Sequence, residues 1–180
     1  KKIKYMFPKA HACAYVIMAF RIAYFKVYYP EAFYVSYFTV RGDDFDIDLV
    51  LGGKEVVRER IRELEMKGND ISAKEKNLLT ILEVALEMYC RDIKMLPVDL
   101  YKSDPVKFLI TKEGILPPLS SLQGVGAAAA RSIADARKEA EFVSIEDLRE
   151  RGRVSKNVID ILKKHGALNN IPETSQISLF

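Results

Sequence analysis

LSSLQGVGAAAARSIADARKEAEF, Leu119–Phe142, sets a short apolar run against an alanine-rich one and separates them with Gln123-Gly124-Val125-Gly126. Two glycines flanking one hydrophobe let a backbone turn tightly through positive φ, so that the amides opening the next helix converge where a phosphate oxygen fits. Val125 then plugs the gap between the two helices, and Arg131 and Lys138 add screened charge toward neighbouring phosphates. A Gly-x-Gly turn is also an ordinary connection between helices, and the motif alone does not separate the two readings.

The next stretch, SIEDLRERGRVSKNVIDILKKHGAL (Ser144–Leu168), repeats the arrangement with Arg151-Gly152-Arg153-Val154-Ser155 between two helical patterns. It lacks the second glycine and reads as a structural turn. Together the two units predict a tandem helix-hairpin-helix over 118–168, a module that holds duplex DNA through phosphates without reading sequence.

Upstream, Pro8 opens a helix in which Tyr15, Met18, Ile22, Phe25 and Tyr29 recur at three- and four-residue steps, which predicts one long amphipathic helix that Pro30 ends or kinks. Phe33–Val40 suits a second helix or, by its Tyr, Val and Phe content, a strand. Val56–Met66 and Ala73–Tyr89 are charge-laced helices with apolar stripes at Val57, Ile61 and Leu64 and at Leu78, Leu82, Ala85 and Leu86. From Ile93 the texture shifts to short extended segments broken by Pro97, Asp104-Pro105 and Gly114, and Pro117-Pro118 makes a stiff join. The expectation is a mainly α protein with a few short strands, divided into residues 1–117, the hairpin module at 118–168 and a flexible tail at 169–180.

The 180 residues carry a net charge of only +3, unevenly spread. Residues 1–40 hold six basic side chains against one acid, 41–118 thirteen against sixteen, and 119–168 nine against seven, so DNA binding in the last segment must rest on placement more than bulk charge. Two cysteines, Cys13 and Cys90, are too few for a disulfide framework and are expected as buried free thiols in a reducing compartment. Arg21, Lys26, Pro30 and Glu31 interrupt the apolar run Ala12–Val40, which argues against a membrane span and for a cytoplasmic protein.

Metal sites are weakly supported. Asp44, Asp46, Asp48 and Glu55 fall at calcium-loop spacing, but Leu49 stands where such a loop needs glycine, so the segment reads better as an acidic, helix-capping loop. His11, Cys13, Cys90 and His165 lack the close paired spacings of a zinc site. No metal ligands and no cofactor are assigned within the chain.

Several segments carry a resemblance in consistent order. FPKAHACAYVIMAFRIAYFKVYYPEAFYVSYFT (Phe7–Thr39) is similar to the fingers signature of the C family of bacterial replicative DNA polymerases, and RGDDFDID, AKEKNLLTILEVALEM and IKMLPVDLYKSD resemble its Gram-positive PolC-type branch. The chain is thereby identified as resembling the C-terminal part of a PolC-type DNA polymerase III α subunit, with departures at Cys13, where alanine is usual, and Ile177, where leucine is commoner. The resemblance implies that residues 1–117 are the later part of the fingers. It places Lys9, His11 and Tyr15 against the incoming nucleotide and nascent base pair. The catalytic aspartates and their Mg²⁺ would belong to a palm outside this chain, leaving no catalytic residue here.

The closing pentapeptide Gln176-Ile177-Ser178-Leu179-Phe180 resembles the bacterial sliding-clamp-binding peptide, in which Gln meets a polar edge and Leu-Phe fill an apolar pocket. Asn169, Asn170 and Pro172–Ser175 would form its polar tether. Expected partners are primer-template duplex, the clamp and the remainder of the polymerase chain. Two alternatives stay open on the residues alone. One is a stand-alone helix-hairpin-helix DNA-binding or repair-adaptor module, which has no use for the Lys9–Tyr15 motif. The other is a calcium-sensing protein built on the acidic loop.

Overall fold

A computed structural model of the chain describes residues 8–174. The closing pentapeptide, Gln176 to Phe180, lies outside the described residues. The order is α1 (Lys9–Tyr28), α2 (Pro30–Val40), α3 (Ile47–Leu51), α4 (Gly53–Met66), α5 (Ala73–Cys90), β1 (Leu109–Ile110), β2 (Ile115–Leu116), α6 (Ala127–Glu139), α7 (Ile145–Arg151) and α8 (Lys156–Lys164). The protein is mainly α, as the periodicities predict.

Helix α1 departs from expectation in one respect. It has the predicted length, but no stripe of it is covered: none of its 20 residues is buried, and Tyr15, Phe20, Phe25 and Tyr28 are each more than half exposed. Val16, Ile17, Phe20, Tyr24 and Val27 fill the faces between the predicted apolar positions, so the helix is apolar all round. Such a helix is normally an interior element of a larger protein or a membrane span. Its length and mean hydropathy of 1.2 would allow it to cross a membrane.

Pro30 fixes the first turn of α2, whose missing N–H costs nothing at that position. The segment Phe33–Val40 is helical because Tyr34 and Phe38, four residues apart, both turn into the core. The Phe38 ring meets Phe45 at 5.1 Å and Phe108 at 5.7 Å between centroids, which joins α2 to the acidic loop and to the approach to β1. The acidic loop behaves as a capping segment: Asp46 accepts the Leu49 amide at 3.2 Å and so starts α3, a short helix within the stretch expected to be loop. At α5, Ser72 and Glu75 form a reciprocal capping box.

α4 buries Val57, Ile61 and Leu64, the predicted stripe, against α5, which buries Ile81, Leu82, Ala85 and Met88. Strands β1 and β2 pair antiparallel with Leu109 opposite Leu116, and Met95 adds a parallel bridge to Ile115. One continuous cluster of buried side chains runs from Tyr34 to Leu168.

Two further expectations are corrected. Cys13 and Cys90 are exposed free thiols, because each falls on an outer helical face. The stretch 169–173 is docked: Pro172 and Glu173 carbonyls accept the Ile145 amide at 2.9 Å and the Glu146 amide at 3.3 Å, and Glu173 pairs with Lys163 at 2.7 Å. The first amides of α7 lack intrahelical acceptors, and this backbone satisfies two of them.

Candidate nucleic-acid interface

The first hairpin opens with a single 3-10 turn, Leu119–Ser121, where the sequence suggests a short helix; residues 122–126 then lead into α6. Leu119, Leu122 and Val125 are all buried, and the Val125 amide donates to the Leu122 carbonyl at 2.9 Å, so Val125 does plug the joint. The two glycines differ. Gly124 sits at φ +95°, so the backbone conformation calls for glycine; a Cβ there would meet only the mobile Ile161 Cδ1 methyl at 2.6 Å. Gly126, expected to share the positive φ, instead has extended backbone at φ −67° and ψ 155°, and a Cβ there would meet nothing within 4 Å.

Gly126 is the residue before α6, and no side chain caps that helix. The amides of its first turn therefore lack intrahelical partners and point outward with the positive end of the helix dipole. The turn from Gly124 to Gly126 borders a cleft of about 680 Å³ that is also lined by four acids, Asp43, Asp44, Asp46 and Glu75, and by Lys74. Arg131 stands exposed just over one turn into α6. Lys138 lies near the far end, where it pairs with Asp135 at 2.8 Å; at the helical rise it is about 16 Å from the start of α6.

The second hairpin is built otherwise. Arg153 takes the left-handed conformation at φ +48°, Val154 is buried, and the Ser155 hydroxyl caps α8 by accepting the Val158 amide at 3.4 Å. Arg149, Arg153 and Lys156 are exposed around it.

Two arginines that bulk charge would assign to DNA serve to position the hairpins. Arg137 donates to the carbonyls of Leu100 and of Ser103, the latter at 2.6 Å, and so fixes α6 to the loop before β1. Burial lowers its pKa, with Asp104 and Asp99 opposing. Arg151 donates to the carbonyls of Ala136 at 2.6 Å and Ala140 at 3.0 Å, pairs with Asp147 at 3.1 Å, and lies over the Phe142 ring at 5.0 Å. It thus closes the C-terminus of α6 and ties it to α7. The Asp147–Arg151 spacing is visible in sequence; the carbonyl contacts are not.

At the other end of the chain, His11 and Tyr15 share a face of α1 as their spacing requires, with ring centroids 4.6 Å apart and nearly perpendicular planes. Tyr15 is 64% exposed, which excludes a core role within the described residues. Lys9 is exposed in the first turn of α1, beside amides that no side chain caps.

No group of three or more His, Cys, Asp or Glu among the described residues is arranged to hold a metal. The acidic loop does not fit one: Asp44 accepts from Asn77, Asp46 caps α3, and Asp48 faces Lys164 and His165.

A glycine-bearing turn plugged by valine leads into the uncapped α6 and is succeeded by a second turn and helix that Ser155 caps, and a family model described as a helix-hairpin-helix motif matches residues 92–176. That match begins well before Pro118, in the segment that Arg137 ties to α6. Along all 180 residues the chain is 68% identical to a DNA polymerase III PolC-type of Caldanaerobacter subterraneus subsp. tengcongensis, 59% to one of Clostridium perfringens and 52% to one of Bacillus subtilis. The chain belongs to the PolC-type DNA polymerase III family. It spans 13% of the length of the first of these relatives and 12% of the other two.

Proposed function

We propose that this chain is the later fingers and duplex-binding part of a cytoplasmic replicative DNA polymerase. The observation that carries the reading is the open, uncapped start of α6 at Gly126. Neither strain nor a neighbouring atom demands glycine there, so what the missing side chain preserves is access to the α6 amides. A phosphate oxygen is the ligand such amides suit, with Arg131 adding charge alongside. Lys138, held by Asp135 at the far end of α6, contributes only a screened, distant attraction. The capped second hairpin holds the first in place.

Measured by fluorescence anisotropy on a labelled duplex, the chain should bind without sequence preference, with log K falling against log salt at a slope of about −0.9 per phosphate neutralised. Gly126→Val should weaken binding at least tenfold while the protein stays folded, losing no more than about 1 kcal/mol as a poorer cap. Equal binding by this folded variant would reduce the hairpin to a connector.

Helix α1 supplies the nucleotide-side contacts in this reading. Lys9 and the uncapped first-turn amides offer charge and donors to a triphosphate, and Tyr15, edged by His11, offers a face to the nascent base pair. The exposed apolar remainder of α1, with the groove it forms with α2 between Ile22, Phe25, Phe33, Tyr37 and Val40, is a surface for the rest of the polymerase chain to cover. Two exposed free thiols suit a reducing cytoplasm.

Mg²⁺ and the aspartates that hold it are assigned to the palm of the parent enzyme, and this chain alone should not extend a primer with dNTPs and Mg²⁺. Gln176–Phe180 is assigned to the sliding clamp. Burying Leu179 and Phe180, at roughly 1.5–3 kcal/mol each, gives a modest anchor that a shared duplex reinforces. Calorimetry with the bacterial clamp should show binding that the Leu179→Ala/Phe180→Ala double variant loses; survival of binding in that variant would remove the assignment.

A further inference from the structure

Helix α1 buries none of its own residues. Lys26, in its last turn, carries a cluster of polar contacts to the helical body. The Lys26 ammonium, in the last turn of α1, pairs with the Glu87 carboxylate of α5 at 2.5 Å and lies over the Phe33 ring of α2 at 5.1 Å. Arg91, capping the end of α5, donates to the Lys26 carbonyl at 3.0 Å and to the Glu87 carboxylate at 2.9 Å. Glu87 thus receives a cation from each helix, and Arg91 grips both the backbone of one and the side chain of the other.

The site is partly withdrawn from water. Burial pushes the Glu87 carboxyl pKa up, but the Lys26 and Arg91 cations outweigh it and hold the group below the ordinary carboxylate range. Within electrostatic reach is the buried Tyr34 hydroxyl, whose pKa burial, with the nearby Glu87 charge, pushes up to about 12. A negative charge is therefore maintained beside a buried tyrosine at the base of an otherwise uncovered helix.

We propose that Glu87 is a positioning residue for nucleotide incorporation: with Arg91 and Lys26 it forms a latch that sets the direction of α1, and so the placement of Lys9, His11 and Tyr15. This rests on the nucleotide-contact reading of α1 given above. Lys9 lies about 26 Å from Lys26 along the helix axis, so a tilt of about 5° at the latch displaces it by about 2 Å. A displacement of that size is enough to cost two orders of magnitude in a reaction that depends on alignment.

The test is steady-state single-nucleotide incorporation by a full-length PolC-type polymerase containing this segment, read together with primer-template affinity and thermal midpoint. Glu87→Gln should raise the dNTP KM at least fivefold, leave primer-template Kd within twofold, and be relieved at least by half in the Lys26→Glu/Glu87→Lys exchange. If Glu87→Gln does not fold, Lys26→Gln on the exposed helix should give the same rise. An unchanged KM in whichever of these two folds, while Lys9→Ala and Tyr15→Ala raise it, overturns the latch and spares the nucleotide-contact reading. An unchanged KM in all of them overturns both.

Discussion

Gly126 and Ser155 occupy the same place in two successive hairpins, each the residue before the second helix, yet only Ser155 caps its helix: the Ser155 hydroxyl accepts the Val158 amide, whereas the start of α6 has no side-chain acceptor. The difference divides the labour of the pair, since an internal acceptor competes for the donors that an external phosphate would use.

Exchanging the caps should separate stability from binding. Gly126→Ser should raise stability by about a few tenths of a kcal/mol, the usual margin between these caps, and weaken duplex binding. Ser155→Ala should cost about 1 kcal/mol and leave duplex affinity unchanged. Chemical denaturation and anisotropy on the same preparations read both; a Gly126→Ser protein that binds duplex as well as wild type contradicts the assignment of the α6 amides.

Arg151 should matter for folding far more than its count as a surface cation suggests. Arg151→Ala removes donors from the Ala136 and Ala140 carbonyls and uncovers Phe142, so a loss of about 2–3 kcal/mol is expected. Arg151→Lys should recover less than half, because one ammonium cannot reproduce the planar fork. Lys138→Ala, which breaks an exposed pair, should change stability by less than about 0.5 kcal/mol. Urea denaturation of the three variants is the measurement.

Acid should reach the start of α5 in a defined window. The Lys67 ammonium, with the Ser72 amide and hydroxyl, holds the Glu75 carboxyl well down, from 4.5 to about 2. A depressed carboxyl contributes stability that is present above its unfolded value and is lost as pH falls through its folded value. The contribution of Glu75 should therefore disappear between about pH 4.5 and pH 2. Thermal midpoints measured across that range should fall less steeply for Glu75→Gln than for wild type; parallel curves would show the box to be energetically silent.

How much of the fold is legible in the sequence depends on the range of the interaction that decides each element. The helices of the core announce themselves because Val57, Ile61 and Leu64 keep helical spacing, and the first hairpin because Gly124 and Val125 are local requirements of a turn. Residues 33–40 are ambiguous between helix and strand, since the choice rests on Tyr34 and Phe38 turning into the core and on Phe38 meeting Phe45 and Phe108, the latter far away in sequence. The bare surface of α1 cannot be read from its three- and four-residue repeat, because periodicity identifies a helix without saying what covers it. At the candidate interface the sequence yields the residues but not their roles. Gly126 lacks the backbone angle that its motif suggests, and Arg137 and Arg151 reach carbonyls that no spacing rule connects to them.

The docking of Pro172 and Glu173 onto the first amides of α7 has a mechanical side. Only Thr174 and Ser175 stand between Glu173 and Gln176, and three residues of extended chain cover at most about 10 Å. A peptide at Gln176–Phe180 is thus on a short leash, starting within about a nanometre of a fixed anchorage. Between that peptide and the hairpin module stand the two backbone bonds at Ile145 and Glu146 and the Lys163–Glu173 pair. The attachment therefore fixes the end of the chain to the edge of the hairpin module through a few bonds, one of them made by Lys163 of α8.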